Sequence, residues 1–268
     1  MKISVIVPSL NQVRYISRSI SSVVEQKGDF DVELLVMDGG STDGTVEVLK
    51  EVEKKLRQRP PSRLTFVWKS GKDRCQAQAA NTGFSLSRGD VLALVNSDDA
   101  CAPGAFQKVV AFFERNPGFK WLTGKCRIID AKNREIRKAV TAYKNFLLRH
   151  YRYELLLVEN FVSQPATFWR RSLYEELGGF DENRPHSLDY EYWLRLGEKY
   201  PPGILGDYLA SFRIHPQSMT GRGERIGFGE GLELVGHYGR RAGFLLPFYA
   251  LSYVKTAGAY RVLRWLGG

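Results

Sequence analysis

The sequence predicts an α/β protein, with a Rossmann-like, mostly parallel sheet flanked by helices. Short apolar runs rich in β-branched residues alternate with segments whose apolar residues recur at helical spacing. Three of these runs end in a polar cluster. Because strands that alternate with helices form βαβ units, the order implies parallel strands joined by right-handed crossovers.

The elements can be predicted in chain order. The run Ile3–Val7 is continuous and ends at Pro8, as a fully buried strand does. Ile16–Glu25 has the spacing of a helix. Ser41, Thr42 or Asp43 is placed to cap the second helix. The later predicted elements are strand Val32–Met37, helix Val46–Leu56, strand Leu64–Trp68, helix Gln76–Leu86, strand Val91–Val95 and a helix beginning at Ser187.

The polar clusters Pro8–Asn11, Asp38–Thr45 and Asn96–Asp99 each follow a predicted strand. Ligands of open α/β sheets bind at the carboxyl ends of the strands. The topology therefore predicts that these distant segments meet at one binding edge.

Two carboxylates lie side by side at the last of these strand ends, Asp98 and Asp99. Like charges this close need a cation or several donors, and Mg²⁺ prefers such carboxylates together with substrate phosphates. The carboxylate of Asp38 can accept a hydrogen bond from the imide N–H of a nucleobase or from a ribose hydroxyl. Either acidic segment could instead be a turn that caps the next helix.

Absent motifs, cysteine content, apolar runs and net charge narrow the functional class of this protein. The sequence has neither GxxxxGK[ST] nor a GxGxxG after the first strand, which argues against a P-loop protein and a dinucleotide-binding dehydrogenase. Three cysteines without a CxxC pair suggest reduced thiols in the cytoplasm. The first apolar run is too short for a signal peptide, and no run approaches a membrane span. The net charge of +10 calls for an anionic partner.

Several ordered motifs over residues 1 to about 220 resemble the family 2 glycosyltransferases of the GT-A fold. The motifs are Val5–Asn11, Asp38–Thr45, Ser87–Asp90, Asn96–Asp99, Gln164–Phe168, Leu177–Glu182 and Asp189–Leu196. The resemblance implies an inverting transferase that uses a nucleotide-diphosphate sugar and a divalent metal, Mn²⁺ or Mg²⁺. UDP is the favoured carrier.

The resemblance also implies site residues. Asp38 would contact the base near the Pro8–Asn11 backbone, Asp98 would lie near the ribose, and Asp99 would bind the metal. Lys72, Asp73 and Arg74 would line the donor site, where the family's usual acid is replaced by Gln78. The nucleotide-sugar residues implied in this way are Pro8, Ser9, Asn11, Asp38, Gly40, Arg74, Asn81, Asn96 and Asp98.

Asp189 matches the general base of that family, although it would also serve as an ordinary acid at a helix N-terminus. On the acceptor side, Gln164 would form the floor, and Trp193 would either stack on a sugar or belong to the core. His215 would either touch the metal or be a locally bonded loop residue.

The C-terminal segment 221–268 is basic and apolar, and follows a predicted transferase domain at 1–220. We expect that domain to have a nucleotide-sugar half, 1–118, and an acceptor half, 119–220. The tail would form a helix that docks on an anionic membrane surface or packs on the domain. A nucleic-acid partner is not expected, because no recognition motif accompanies the charge.

The sequence thus predicts an enzyme that moves a sugar to a hydroxyl of a saccharide or lipid-linked acceptor, in polysaccharide or glycolipid synthesis. It would be cytoplasmic, or peripheral at the cytoplasmic membrane face. A non-catalytic nucleotide-sugar or carbohydrate-binding protein on the same fold is the main alternative. A nucleotidyltransferase is disfavoured because Pro8–Tyr15 is not a Gly-rich basic loop.

Overall fold

Strands and helices alternate through the first half of the chain, as the sequence predicts. The computed structural model describes residues 1–58, 63–184, 186–218, 227–239, 247–252 and 254. The elements of this half are β1 Lys2–Ser9, α1 Ile16–Val24, β2 Asp31–Asp38, α2 Thr45–Arg57, β3 Leu64–Ser70, α3 Gln76–Leu86, β4 Val91–Leu94, β5 Ala100–Cys101 and α4 Ala105–Arg115.

The second half of the chain is also built of strands and helices. Its elements are β6 Trp121–Ile129, α5 Lys138–Arg149, α6 Tyr153–Val158, a 3₁₀ turn Gln164–Ala166, β7 Thr167–Arg170, α7 Arg171–Leu177, α8 Leu188–Lys199, β8 Gly203–Arg213 and α9 Gly227–Tyr238.

The eight strands form one sheet in the order β3-β2-β1-β4-β7-β6-β8-β5. Strands β1 to β4 are parallel, whereas β7 is antiparallel to both β4 and β6. The register of β1 with β2 pairs Ser9 with Asp38, so two predicted binding segments leave the sheet side by side. The sheet continues across the boundary expected at residues 118 and 119.

Two apolar cores enclose the sheet. One contains Ile20, Val23 and Phe106 of α1 and α4. The other contains Phe84 of α3 and most of α8, including Tyr192. Apolar burial on both faces explains why β1 is a continuous β-branched run and not an alternating one.

The start of α2 distinguishes between the predicted caps. Its capping contact comes from Asp43, whose carboxylate accepts from the backbone N–H of Thr45 at 3.0 Å. Ser41, which was expected as a cap together with Thr42, donates its hydroxyl to Asp38 instead. The residue before the helix, Gly44, has φ 100°, a left-handed conformation that suits glycine.

The described part of the tail packs on the body of the protein. Leu234 and Val235 of α9 are buried in the same core as α8, as is Tyr249 of the helical segment 247–252. Tyr238 donates its hydroxyl to Glu191 of α8 at 2.6 Å. Within the described ranges, no helix is long and apolar enough to cross a bilayer. The basic residues Arg240, Arg241, Lys255, Arg261 and Arg264 lie outside those ranges.

Candidate functional site

A cleft of about 700 Å³ lies at the carboxyl edge of the parallel strands. Each of the three predicted polar clusters contributes to its walls, and so does the beginning of α8. Lining residues from these segments are Pro8, Ser9, Gly39, Asn96, Asp98 and Asp189. The convergence predicted from the strand order is therefore present.

Asp38 ends β2 and is used to hold its own loop. Its carboxylate accepts from the backbone N–H of Ser41 at 2.9 Å and from the hydroxyl of Ser70 at 2.6 Å. It also accepts from the backbone of Gly40 and the hydroxyl of Ser41. Asp38 is 3% exposed, and Gly39, not Asp38, lines the cleft. Three of these bonds go to Oδ2 and one goes to Oδ1, so Oδ1 keeps a lone pair among the described contacts. The contact of Asp38 with a base stays a prediction.

Asn11, Gly40 and Asn81 were predicted to bind the nucleotide sugar, but none of them lines the cleft. Asn11 accepts from the backbone N–H of Thr42 at 2.9 Å and so joins two strand-end loops. Asn81 bonds both backbone groups of Phe180, at 2.9 Å each. The two amides hold the walls of the cleft, and Gly40 donates its backbone N–H to Asp38 at 3.2 Å. Contact of these three residues with a nucleotide sugar stays a prediction.

The loop after β3 brings charged groups into the cleft. Arg74 lines it and forms an ion pair with Glu182. Asp73 also lines it, and burial, followed by the charge of Asp38, raises the pKa of Asp73. Asn96 accepts from the side chain of Gln76 at 2.6 Å.

Asp98 and His215 meet although 117 residues separate them. The Nε2 atom of His215 lies 3.1 Å from Oδ2 of Asp98, and its Nδ1 lies 3.2 Å from Oε1 of Gln217. The imidazole is held between the Asp98 segment and the ring of Tyr15, whose centroid is 4.5 Å away. The hydrogen bond to Asp98 raises the pKa of His215.

Asp99 points into the protein and not into the cleft. It is fully buried, and its Oδ1 accepts from the backbone N–H of Arg213 at 2.8 Å. Burial and the neighbouring charge of Asp98 raise the pKa of Asp99 well above its ordinary value. The metal role predicted for Asp99 is therefore not supported by its position. Asp98, and not Asp99, lines the cleft.

The Asp98 and His215 pair fits a divalent cation. Adjacent ligands of an octahedral ion bound at about 2.1 Å are roughly 3 Å apart, close to the separation of Oδ2 and Nε2. With Nδ1–H donated to Gln217, a metal would take the place of the proton that Nε2 shares with Asp98. No group of three or more His, Cys, Asp or Glu in the described residues could hold an ion alone. A ligand would have to complete the coordination.

Asp189 is the second residue of α8 and is half-buried in the wall of the cleft. Its Oδ1 accepts from the backbone N–H of Tyr190 at 2.7 Å, and its Oδ2 accepts from the amide of Asn160 at 3.4 Å. Burial raises the pKa of Asp189, and the charge of Lys144 offsets part of that rise. A carboxylate with a raised pKa binds a proton more strongly, which suits a general base.

The two residues predicted on the acceptor side have different positions. Gln164 lines the cleft and donates its amide to the carbonyl of Leu94. Trp193 is fully buried and stacks on Trp121 with ring centroids 5.9 Å apart, so it cannot stack on a sugar. Trp169 on β7 is equally buried. Of the two alternatives for Trp193, the structure therefore has the core one, because α8 is covered on nearly every side.

Other lining residues carry no signal in the sequence. They come from α5, from the first residue of α3 and from irregular segments, where no motif or spacing marks a site. Those with polar side chains are Gln12, Gln76, Thr141, Lys144, Asn160, Ser163, His186 and Gln217.

Comparison with protein-family models matches residues 4–178 to the family described as Glycosyl transferase family 2. An uncharacterized glycosyltransferase of Nostoc sp. is 32% identical over 141 residues, which are 53% of this chain and 41% of that protein. An uncharacterized glycosyltransferase of Haemophilus influenzae is 28% identical over 80% of this chain and 65% of its own length. The chain thus matches less than two thirds of either relative.

Solved structures share the fold. Residues 1–349 of S. aureus TarS, in complex with UDP-GlcNAc, superpose with a TM-score of 0.67 and 19% identity, covering 89% of this chain and 66% of that one. The mannosyltransferase PcManGT of Pyrobaculum calidifontis, in complex with GDP-Man and Mn²⁺, has a TM-score of 0.63 and 17% identity. That match covers 99% of this chain and 79% of the other.

Proposed function

Because the chain belongs to glycosyl transferase family 2, we propose that it transfers a sugar from a nucleotide-diphosphate sugar to a hydroxyl of an acceptor, with inversion at the anomeric carbon. A UDP-sugar is the favoured donor and a saccharide or lipid-linked alcohol the acceptor, in polysaccharide or glycolipid synthesis. One observation carries this proposal: Asp98 and Asp189, from different parts of the chain, line the same cleft.

The donor is assigned to the half of the cleft formed by the ends of β1 and β2 and the loop after β3. Pro8, Ser9 and Gly39 bring backbone against the base and ribose, and Asn96 presents its side chain to the donor. When Arg74 leaves its ion pair with Glu182, its guanidinium supplies positive charge toward the diphosphate. Asp38 supports this half by fixing its loop.

Asp98 and His215 are assigned to a divalent cation, Mn²⁺ or Mg²⁺. The metal-bound complex of PcManGT supports such an ion in this fold. When bound, the ion stabilises the negative charge that develops on the departing diphosphate. Arg213 donates its guanidinium to the carbonyl of Asp98 at 2.7 Å, which holds that residue toward the cleft.

Asp189 is assigned as the general base. As the acceptor oxygen bonds to the anomeric carbon, its proton passes to the Asp189 carboxylate. The bond from that carbon to the phosphate oxygen breaks, and its electron pair leaves with the nucleoside diphosphate. One displacement inverts the configuration and needs no second carboxylate nucleophile. Asn160 and the backbone of Tyr190 orient the carboxylate for this step.

The decisive experiment combines a panel of nucleotide sugars with the Asp189→Asn variant. We expect Mn²⁺-dependent hydrolysis or transfer by the native chain and a loss of about 10²-fold or more in the variant, because proton transfer contributes at least this much. Donor affinity should stay near the native value, since the amide is nearly isosteric. Both are measured by nucleotide release and calorimetry.

A matched control is Glu198→Gln, which neutralises an exposed acid on the same helix. This control should keep native turnover. Native turnover in Asp189→Asn would exclude its role as base. A product with the donor's own anomeric configuration, read by NMR before mutarotation, would contradict the single displacement. Donor binding with no turnover in the native chain, whatever sugar or acceptor is offered, would favour the non-catalytic alternative.

We also propose that segment 221–268 docks on an anionic membrane face, leaving the active domain at 1–220 in the cytoplasm. Support comes from the exposed apolar side chains Phe248, Leu251 and Val254, which recur every third residue and so share one helix face. Basic residues flank them in the sequence. This combination suits an interfacial helix, which docks by apolar insertion and attraction to anionic lipid.

A further inference from the structure

The acceptor half of the cleft is lined by a group of polar side chains that the proposed chemistry does not use. Thr141 and Lys144 come from α5, and Asn160 and His186 come from the irregular segments before β7 and α8. Asn160 is also the side chain that touches Asp189. These residues therefore line the same cleft as the carboxylate to which the acceptor hydroxyl must be presented.

Three atoms in this group are buried without a hydrogen-bond partner in the described part of the chain. They are Oγ1 of Thr141, Oδ1 of Asn160 and Nδ1 of His186. A buried polar atom left unpaired costs about 1–3 kcal/mol, so native proteins rarely keep several together without a purpose. Sugar hydroxyls both donate and accept, and a ring carrying several of them matches this mixed set of atoms.

Lys144 adds one positive charge to this half. It lies half-buried in the wall of the cleft and forms no ion pair within 4 Å among the described residues. Its charge acts on Asp189 and on Cys126, which also lines the cleft. The ammonium thus lies near the reaction and remains available to a ligand.

The proposed reaction increases the need for an anion beside Lys144. When Asp189 takes the proton of the acceptor, its carboxylate becomes neutral and no longer balances the lysine. A positive charge in a partly buried site is costly unless another negative group compensates it. An acidic group on the acceptor itself would supply that charge.

We propose that this subsite binds an anionic saccharide acceptor, with ring hydroxyls paired to Thr141, Asn160 and His186 and a carboxylate or phosphate paired to Lys144. The inference rests on the proposed function, since it specifies the acceptor for the same cleft. Uronic acids and sugar phosphates share the chemistry that Lys144 would recognise.

The test measures binding of simple glycosides to the protein saturated with UDP and Mn²⁺. The probes are methyl β-glucuronide, methyl β-glucoside and methyl β-glucoside 6-phosphate, followed by ligand-observed NMR. We expect the native chain to bind at least one anionic probe about tenfold more tightly than the neutral one, a preference of about 1.4 kcal/mol. The preferred anion tells whether the acid is a carboxylate or a phosphate.

Variants of Lys144 test whether this residue causes the preference for anionic probes. Lys144→Met should bind all three probes with similar affinity, while Lys144→Arg keeps the preference. Lys138→Met removes an exposed lysine from the same helix and should behave as the native chain does. UDP affinity should be the same in all four proteins, because Lys144 is assigned to the acceptor and not to the diphosphate.

Several results would overturn the inference. Equal affinity of the native chain for charged and neutral probes would do so, as would binding of none of them. So would a preference that survives in Lys144→Met, or a loss of UDP affinity in that variant alone. If the native chain does not bind UDP at all, the proposed function fails first, and that outcome is distinct because it is measured before any glycoside is added.

Discussion

At the scale of single residues, the two adjacent aspartates have opposite surroundings. Asp98 is partly exposed in the cleft beside His215, whereas Asp99 is enclosed and accepts from the backbone of Arg213. Desolvation of Asp99 favours its neutral form. Asp98 can therefore bind a cation, whereas Asp99 anchors the end of β4 to β8.

Paired variants test this separation. Asp98→Asn should abolish the dependence of UDP affinity on Mn²⁺, because it removes the only carboxylate oxygens assigned to the ion. Asp99→Asn should keep that dependence, since a buried amide resembles the neutral acid and retains an oxygen for the Arg213 N–H. Titration calorimetry with and without Mn²⁺ distinguishes the two. A loss of metal dependence in Asp99→Asn alone would return the metal role to Asp99.

At the scale of elements, the close packing of α3 on the sheet fixes the donor half of the cleft. A Cβ atom on Gly83 would lie 2.6 Å from Cγ2 of Ile6, in the middle of β1. Both residues are buried. Interiors packed at this density do not absorb an added methyl group without strain.

A pair of glycine variants measures the effect. Gly83→Ala should destabilise the fold by about 1–2 kcal/mol, since overpacking against Ile6 exceeds the gain in helix propensity. Gly236→Ala, on an exposed face of α9 with no atom within 4 Å of the new Cβ, should instead stabilise it by up to about 1 kcal/mol. Urea unfolding gives both values. A Gly83→Ala variant more stable than the native chain would show that the contact with Ile6 relaxes without strain.

At the scale of the whole molecule, one sheet joins the two predicted halves, and the tail is attached to the second. Buried residues of α9 belong to the core beneath α8, and Ser252 donates its hydroxyl to Glu159 at 3.0 Å. Deleting the tail would therefore expose core, so it is a poor test of membrane docking. The exposed face of Phe248, Leu251 and Val254 can be changed without that cost.

The variant Phe248→Ser, Leu251→Ser, Val254→Ser should sediment less with vesicles of phosphatidylglycerol than the native chain does. Removal of the apolar face weakens insertion, while the attraction of the basic residues remains and should be sensitive to salt. Phe146→Ser, which changes an exposed aromatic on α5, serves as the control. Equal sedimentation of all three proteins would contradict membrane docking through this face.

Local patterns in the sequence specify the order of strands and helices from β1 to β4, whereas β5 and α4 were not predicted. Backbone preference and apolar periodicity are local properties, so β1, α1 and α3 were predicted within a few residues. The parallel order also required the clusters after β1, β2 and β4 to meet at one edge. Asp189 was singled out through the family resemblance of its motif, and its role as general base stays a prediction.

Which side chains of these segments face the cleft depends on how the elements pack in three dimensions. Asp98 and Asp99 are equivalent in the sequence, and they differ because the backbone of Arg213, 114 residues from Asp99, captures one of them. Trp193 is in the core because other elements cover α8. Lys144 and Thr141 reach the cleft only through the packing of α5. These outcomes depend on contacts between residues far apart in the chain, which local patterns do not encode.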